Sequence, residues 1–266
     1  MKKLFVLALV VLGASQSLRA QQDVEYGYFD HMSVGLSVGS DGIGFDVAAP
    51  ISDYASVRGG FSFMPTIKVN KEIHLSNKND AATYYKDIKL QGKTKIFDGK
   101  ILFDYYPFKA SSFHLTAGAF FGGSEVVEVV NKSPILKNPA DYGTAGLIIG
   151  SGDKEYQLTT DLNGNAKIKM KANGFKPYLG FGFGRAVQKN SKFGVSFDMG
   201  VKFWGKPGVY ADAKRNTAFA EKEKDHHFKH SDLAQDDDKD LRDAVKTVEK
   251  ISVYPVLNIR LTYRIF

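Results

Sequence analysis

The chain has 266 residues, a formal charge of +7 and no cysteine, so neither a disulfide staple nor a lipid-modified cysteine anchor is available to it. Mean hydropathy is −0.23, and no run reaches the roughly 18 apolar residues that a membrane helix needs. The basic residues form no clustered stripe, which leaves nucleic acid without a footprint as a partner.

Met1-Lys2-Lys3, the apolar stretch Leu4–Leu12 and the small residues around Gly13-Ala14-Ser15 and Leu18-Arg19-Ala20 read as a cleaved secretory signal over residues 1–20. Its removal takes away Lys2, Lys3 and Arg19 and no acid, so the charge falls from +7 to +4. Residues 21–29 then form an N-terminal segment, and residues 30–266 a single domain.

From Met32 onward the chain alternates apolar and polar residues, the period of a half-buried strand. Val34, Leu36 and Val38 oppose Ser33, Gly35 and Ser37. After the turn Ser40-Asp41-Gly42, Ile43, Phe45 and Val47 oppose Gly44, Asp46 and Ala48. A third segment sets Val57, Phe61 and Phe63 against Ser56, Arg58 and Ser62; a fourth sets Ile101, Phe103 and Tyr105 against Lys100, Leu102 and Asp104. The fifth has Phe113, Leu115 and Phe121 against His114, Thr116 and Phe120, and the sixth Leu179, Phe181 and Phe183 against three glycines. The seventh alternates Phe193, Val195, Phe197 and Met199 with Gly194, Ser196 and Asp198. The last carries Leu257, Ile259, Leu261, Tyr263 and Ile265 against Asn258, Arg260, Thr262 and Arg264, up to the terminal Phe266.

Eight such strands predict an all-β fold: an eight-stranded antiparallel up-and-down transmembrane β-barrel with apolar residues facing lipid. Connections 2–3, 4–5 and 6–7 are short. Those near Pro65–Gly92, Gly123–Lys171 and Gly205–Lys250 are long. Short periplasmic turns and long outer loops place both termini in the periplasm and the long loops outside the cell. Tyr105, Tyr106, Phe108, Tyr178, Phe203, Trp204 and Tyr263 fall near strand ends, as interfacial girdles should.

The motifs Asn173-Gly174-Phe175-Lys176-Pro177-Tyr178-Leu179-Gly180-Phe181-Gly182-Phe183-Gly184-Arg185-Ala186, Phe197-Asp198-Met199-Gly200-Val201-Lys202-Phe203-Trp204-Gly205 and Tyr263-Arg264-Ile265-Phe266 resemble small eight-stranded outer-membrane β-barrel proteins of Gram-negative bacteria, of the OmpA/OmpX-like class. The resemblance covers most of residues 30–266 outside the long loops. It implies an outer-membrane location, contact with outer-membrane lipid and lipopolysaccharide, and an insertion signal at Tyr263, Ile265 and Phe266 read by the barrel-insertion machinery. Here Ile265, and not Phe266, holds the lipid-facing register, a departure from the family pattern.

The inward set includes Asp46, Asp98, Asp104 and Asp198 with Arg58, Lys100, Lys202 and Arg260, and His114 among them. An eight-stranded barrel is only wide enough for side chains to fill it, and buried charges must pair. A structural ion network is therefore expected, ahead of an ion path. His114 with Asp198 or Asp104 and a lumen serine is the only enzyme-like set, for a lipid-modifying enzyme or protease, and no serine motif accompanies it. Gly180, Gly182 and Gly184 recur every second residue, which is not the spacing of a nucleotide loop; they make room for long basic side chains opposite.

In the 5–6 connection, Asn163-Gly164 between alternating runs predicts a type I′ hairpin, with strands five and six continuing as a ribbon beyond the membrane. In the 7–8 connection, His226, His227 and His230 with Asp236, Asp237 and Asp238 match no ordered metal site and read as a solvated loop. From Asp238 to Lys250, Leu241, Ala244, Val245 and Val248 predict a short amphipathic helix over a barrel mouth or against a partner. The whole reads as a non-enzymatic outer-membrane barrel without cofactor or metal, anchoring surface loops open to a protein partner. A narrow channel or small-molecule transporter is the alternative.

Overall fold

The computed structural model describes residues 25–74, 84–85, 87–149, 155–215, 221–233 and 239–266. The signal expected at residues 1–20 and the acidic run at 236–238 lie outside these. Eight strands close a barrel: β1 (Ser33–Gly39), β2 (Gly42–Ser52), β3 (Ala55–Phe63), β6 (Phe97–Tyr105), β7 (Phe113–Gly122), β12 (Phe175–Phe183), β13 (Phe193–Phe203) and β16 (Val253–Arg264). They pair antiparallel in the order β1-β16-β13-β12-β7-β6-β3-β2, and β16 closes the ring on β1 from Ser33↔Arg264 to Gly39↔Asn258. A closed ring has no unpaired edge.

Side-chain parity follows the strand period. The apolar set faces outward, with Ile101, Leu179 and Ile259 all more than half exposed, while the polar set is buried within. Gly42 takes a φ of +95° at the β1–β2 turn, and a Cβ there would lie 2.1 Å from the Phe63 carbonyl oxygen, so both backbone conformation and space demand glycine. Beyond Arg264, Ile265 donates its N–H to the Met32 carbonyl, and Met32 donates to that of Phe266. Ile265 and Phe266 are both exposed.

The long connections are not loops. They carry β4 (Lys68–His74), β5 (Asp87–Thr94), β8 (Glu125–Asn131), β9 (Gly146–Ile149), β10 (Tyr156–Thr159), β11 (Lys167–Lys171), β14 (Gly208–Arg215) and β15 (Glu223–Phe228). These form a second sheet in the order β4-β5-β8-β11-β14-β10-β9, with β15 on β14. Several are continuations of barrel strands: only Lys95 and Ile96 separate β5 from β6, and β8 pairs with β11 as the ribbon beyond β7 and β12. Asn163-Gly164 does not join a hairpin, because β10 pairs with β9 and β14 and not with β11. Gly164 alone has a positive φ there, +75°, whereas a type I′ turn requires it at both central residues. The Gly164 N–H instead bonds the Asp161 carbonyl.

One face of this sheet is apolar and covered. Tyr84, Ile88, Ile135 and Leu136 form one cluster, and Ile149, Tyr156, Leu158, Ala211, Ala213, Phe228, Leu233 and Val245 another. Val245 belongs to helix α1 (Lys239–Lys250), so the helix packs on the sheet. Ala244, expected on the same apolar side, is exposed; the side chain of Leu241 lies outside the described residues. Where sheet meets barrel, Val126, Ala172 and Trp204 pack together with Ile96 and Tyr254 beside them, and the Trp204 indole donates to the Ile251 carbonyl at 2.9 Å.

Candidate functional site

The barrel interior carries two ion clusters. In the one nearer the termini, Arg58 Nη2 lies 2.7 Å from Asp104 and 2.9 Å from Asp198, and Thr116 donates to Asp104 at 2.8 Å. His114 Nε2 lies 3.0 Å from Asp198. On the opposite wall, Arg260 holds Asp46 through Nε at 2.9 Å and through Nη2, with Lys100 3.7 Å from the same carboxylate. In the cluster nearer the sheet, Asp98 takes Lys176 at 2.5 Å and Lys202 at 3.0 Å, and Lys202 also faces Asp41 at 3.7 Å.

All nine interior residues named from the sequence are therefore buried in the lumen; the eight Asp, Arg and Lys side chains each face an opposite charge, and His114 faces the Asp198 carboxylate. Sequence reasoning missed Asp41 and Lys176. With them the described interior holds five acids and five permanent bases. Buried ions this close offset the several kcal/mol that each would lose on leaving water.

Between the clusters lies an apolar layer of Leu102, Phe120, Tyr178 and Val256. Tyr178 and Tyr106, expected in the interfacial girdle, point inward; Trp204 is likewise buried. Each neighbours an outward residue in sequence, so the period of two turns it to the other face. Tyr105, Phe108, Phe203 and Tyr263 are exposed on the outside. The lumen glycines accommodate other side chains than expected. A Cβ on Gly182 would lie 2.6 Å from His114 Nε2, and one on Gly180 2.5 Å from the Tyr178 hydroxyl.

A void in the middle of the barrel, lined by Arg58, Lys100, Leu102, Phe120, Tyr178 and Arg260 among others, measures about 10 Å³, the space of one water molecule. It also touches Asn258; Arg58 Nε and Asn258 Oδ1 are buried atoms without a hydrogen-bond partner among the described residues.

The His114 geometry bears on hydrolytic chemistry. One ring nitrogen faces the Asp198 carboxylate, and the other, Nδ1, faces the Ser112 backbone carbonyl at 3.3 Å. A nucleophile–base pair needs a hydroxyl or thiol at one nitrogen and an orienting group at the other. Here both positions are taken by acceptors.

The terminal end is closed by residues ahead of β1. The Tyr26 N–H bonds Asp53 at 3.0 Å and its hydroxyl the Val187 carbonyl at 2.7 Å, and the ring packs with Ala48, Ala186 and Val187. Asp53 also receives Lys189 at 2.6 Å and Lys109 at 3.0 Å. Burial alone would raise the Asp53 carboxyl; the bonds from Lys189, Tyr26 and Lys109 outweigh it and hold the group well below the usual carboxylate range. Arg185 ties three turns together by donating to the carbonyls of Asp53, Lys109 and Ser111.

At the opposite end, the histidine segment is strand β15 and not a solvated loop. The His226 ring lies 4.3 Å from that of Tyr156, and His227 stacks on Tyr210 at 4.6 Å. His226 Nδ1 contacts Glu223 at 2.6 Å. Asp225 lies between Lys169 and Lys171, at 3.1 and 2.9 Å, and the bonds from Lys171 and Lys169 lower its pKa. Burial and the nearby Lys229 lower that of His227.

No protein-family profile matches the chain, and no curated protein sequence does. Two solved structures from Acinetobacter baumannii are similar to it. CarO2 is 16% identical over 92% of this chain and 100% of its own, with a TM-score of 0.46. CarO is 14% identical over 90% of this chain and 99% of its own, with a TM-score of 0.44.

Proposed function

We propose that this chain is a non-enzymatic outer-membrane protein whose filled barrel, of the OmpA/OmpX-like general class, anchors the second sheet at the cell surface. The observation that carries this reading is the barrel's two-sided character: an apolar exterior belt encloses an interior whose charges are paired and whose mid-barrel void holds about one water. Such a wall suits hydrocarbon, and so packed a lumen suits a plug better than a conduit. The Tyr26 segment at one end and the Trp204 joint at the other support the same reading.

In this orientation the termini and the short turns face the periplasm, and the sheet faces outside. Exposed Tyr263, Ile265 and Phe266 on the closing strand then serve the barrel-insertion machinery. The sheet, whose strands follow directly on β3, β7 and β13 and lead directly into β6 and β12, is the part available to a surface partner.

The test combines location and conductance. Protein extracted from outer-membrane fractions should migrate faster on SDS gels before boiling than after it. In planar bilayers it should leave the membrane silent. Material found soluble in the periplasm would overturn the barrel reading, and steady ion conductance altered by Asp104 or Lys202 substitutions would replace the anchor with a channel.

A further inference from the structure

The described interior balances five carboxylates against five permanent bases, and His114 tips that balance. Its Nε2 faces the Asp198 carboxylate at 3.0 Å and its Nδ1 the Ser112 carbonyl at 3.3 Å. An acceptor at each nitrogen calls for a hydrogen on each, which is the imidazolium. Six positive charges then stand against five negative ones. The ion cluster at the terminal mouth does not redress this, since Lys109, Lys189 and Arg185 meet only Asp53 and Glu25 there. A buried charge without a counterpart is costly.

The void in the middle of the barrel is where this excess gathers. Arg58, Lys100 and Arg260 line it, and among the described residues Asp198 is the one carboxylate that does, engaged by Arg58 and His114. Asp46 and Asp104 stand behind their bases. Arg260 Nε spans both oxygens of Asp46, at 2.9 and 3.0 Å, while Asp104 receives Arg58 and Thr116.

Donors are left over around the same void. Arg58 Nε is buried without a partner among the described residues. Lys100, 6% exposed, has no acceptor within hydrogen-bond distance among them; its nearest carboxylate oxygen, on Asp46, is 3.7 Å away. The Ser37 hydroxyl lies beside this ammonium. A Cβ on Gly44, which pairs with Ser37 across β1–β2, would collide with the hydroxyl and stand 3.1 Å from Lys100 Nζ. Asn258, whose amide oxygen is likewise without a partner, presents its NH2 instead after a half-turn of the amide. Buried donors in folded proteins find protein, water or an ion.

We infer that the void binds one chloride-sized anion, held by Arg58 Nε, the Lys100 ammonium and the Ser37 hydroxyl. At about 10 Å³ it admits a single small occupant, which excludes sulfate and larger anions. A halide accepts charge-assisted bonds from a guanidinium and an ammonium together. Its charge also brings the interior to neutrality, which a water molecule does not. The site depends on the closed barrel and its lumen, and not on the membrane location or the anchoring role.

The test uses the full-length barrel in detergent, unfolded by urea at constant ionic strength with gluconate replacing chloride. A rise in chloride from about 50 to about 500 mM should increase the folded-to-unfolded ratio at least threefold, and bromide should substitute for it. Salts that act by exclusion from the whole surface, sulfate among them, should shift wild type and Lys100→Gln alike. The halide-specific gain should be absent from Lys100→Gln. Wild-type crystals grown in sodium bromide should show an anomalous bromine peak between Arg58 and Lys100. Equal halide dependence in wild type and Lys100→Gln, or water in place of bromide between these residues, overturns the inference. Heat-modifiable migration reports whether Lys100→Gln folds; if it does not, the wild-type bromide structure decides.

Discussion

Gly35 is the passage through which Arg260 reaches Asp46. Gly35 pairs across β1–β2 with Asp46 and across β1–β16 with Thr262; the guanidinium of Arg260 lies over it, so that a Cβ on Gly35 would sit 2.3 Å from Arg260 Nε. The ion pair therefore spans three strands at the place where the last strand closes on the first. Its acid, its base and the gap between them belong to three different strands that must close in one register.

Filling that gap should loosen the seam. Gly35→Val pushes the guanidinium off Asp46 and leaves two buried charges poorly matched, a loss of about 3–5 kcal/mol when a buried pair is broken from one side. Gly59, by contrast, has open space where a Cβ would go, and Gly59→Ala should leave stability unchanged or slightly raised. Urea unfolding of the detergent- or lipid-embedded barrel, read by tryptophan fluorescence, would separate the two. Equal midpoints for both variants would remove the seam argument.

The Arg58 cluster makes a sharper demand because one base serves two acids. Arg58→Met should destabilise by about 3–5 kcal/mol, since Asp104 and Asp198 are left buried without their guanidinium. Adding Asp104→Asn and Asp198→Asn removes the uncompensated charges, and the triple variant should recover most of the loss. If the triple is no more stable than Arg58→Met alone in the same urea titration, the interior charges are not energetically coupled through Arg58.

The sheet carries a pH dependence of its own. Burial and Lys229 lower the His227 pKa below its ordinary value, so the unfolded chain binds this proton more readily than the folded one. Stability from His227 is then present above the unfolded value of about 6.5 and is lost as pH falls toward the folded one. The His227 ring protons should titrate in NMR with a midpoint below about 6.5, and the protection factors of the β14 and β15 amides, taken relative to the intrinsic exchange rate at each pH, should fall between pH 6 and 5. His227→Gln should remove that fall. A His227 midpoint above 6.5 would contradict the assignment.

The barrel was legible in the sequence because a buried residue and an outward-facing one alternate along each of its strands; Asp46, Arg58, Asp104, His114, Asp198 and Arg260 all follow from that parity alone. Lys176 shares its parity with Tyr178 and Gly180, but it stands beside Pro177, ahead of the residues whose alternation marked the sixth strand. Asp41 lies in a turn, where period two says nothing. The second sheet was hidden for another reason. In β8, Val126 and Val127 both pack inward at the joint, and the β8–β11 register shifts between Met170 and Lys171. A bulge breaks the alternation, and the strands' partners lie far along the chain, so no local pattern announces the pairing.

The apolar layer leads to the last expectation, about conduction. Leu102, Phe120, Tyr178 and Val256 separate the Asp98 cluster from the Arg58 cluster, and the Lys202 ammonium sits 4.0 Å above the Phe120 ring, so the layer and the upper ion cluster are packed as one. Tyr26→Ala, which opens only the terminal end, should leave planar bilayers silent. Phe120→Ala/Tyr178→Ala deletes two aromatic rings from the middle of the barrel, and water should enter the cavity because it is lined by charged side chains. Small but steady conductance is expected from the double variant and not from Tyr26→Ala. The reverse pattern would move the barrier from the apolar layer to the N-terminal segment.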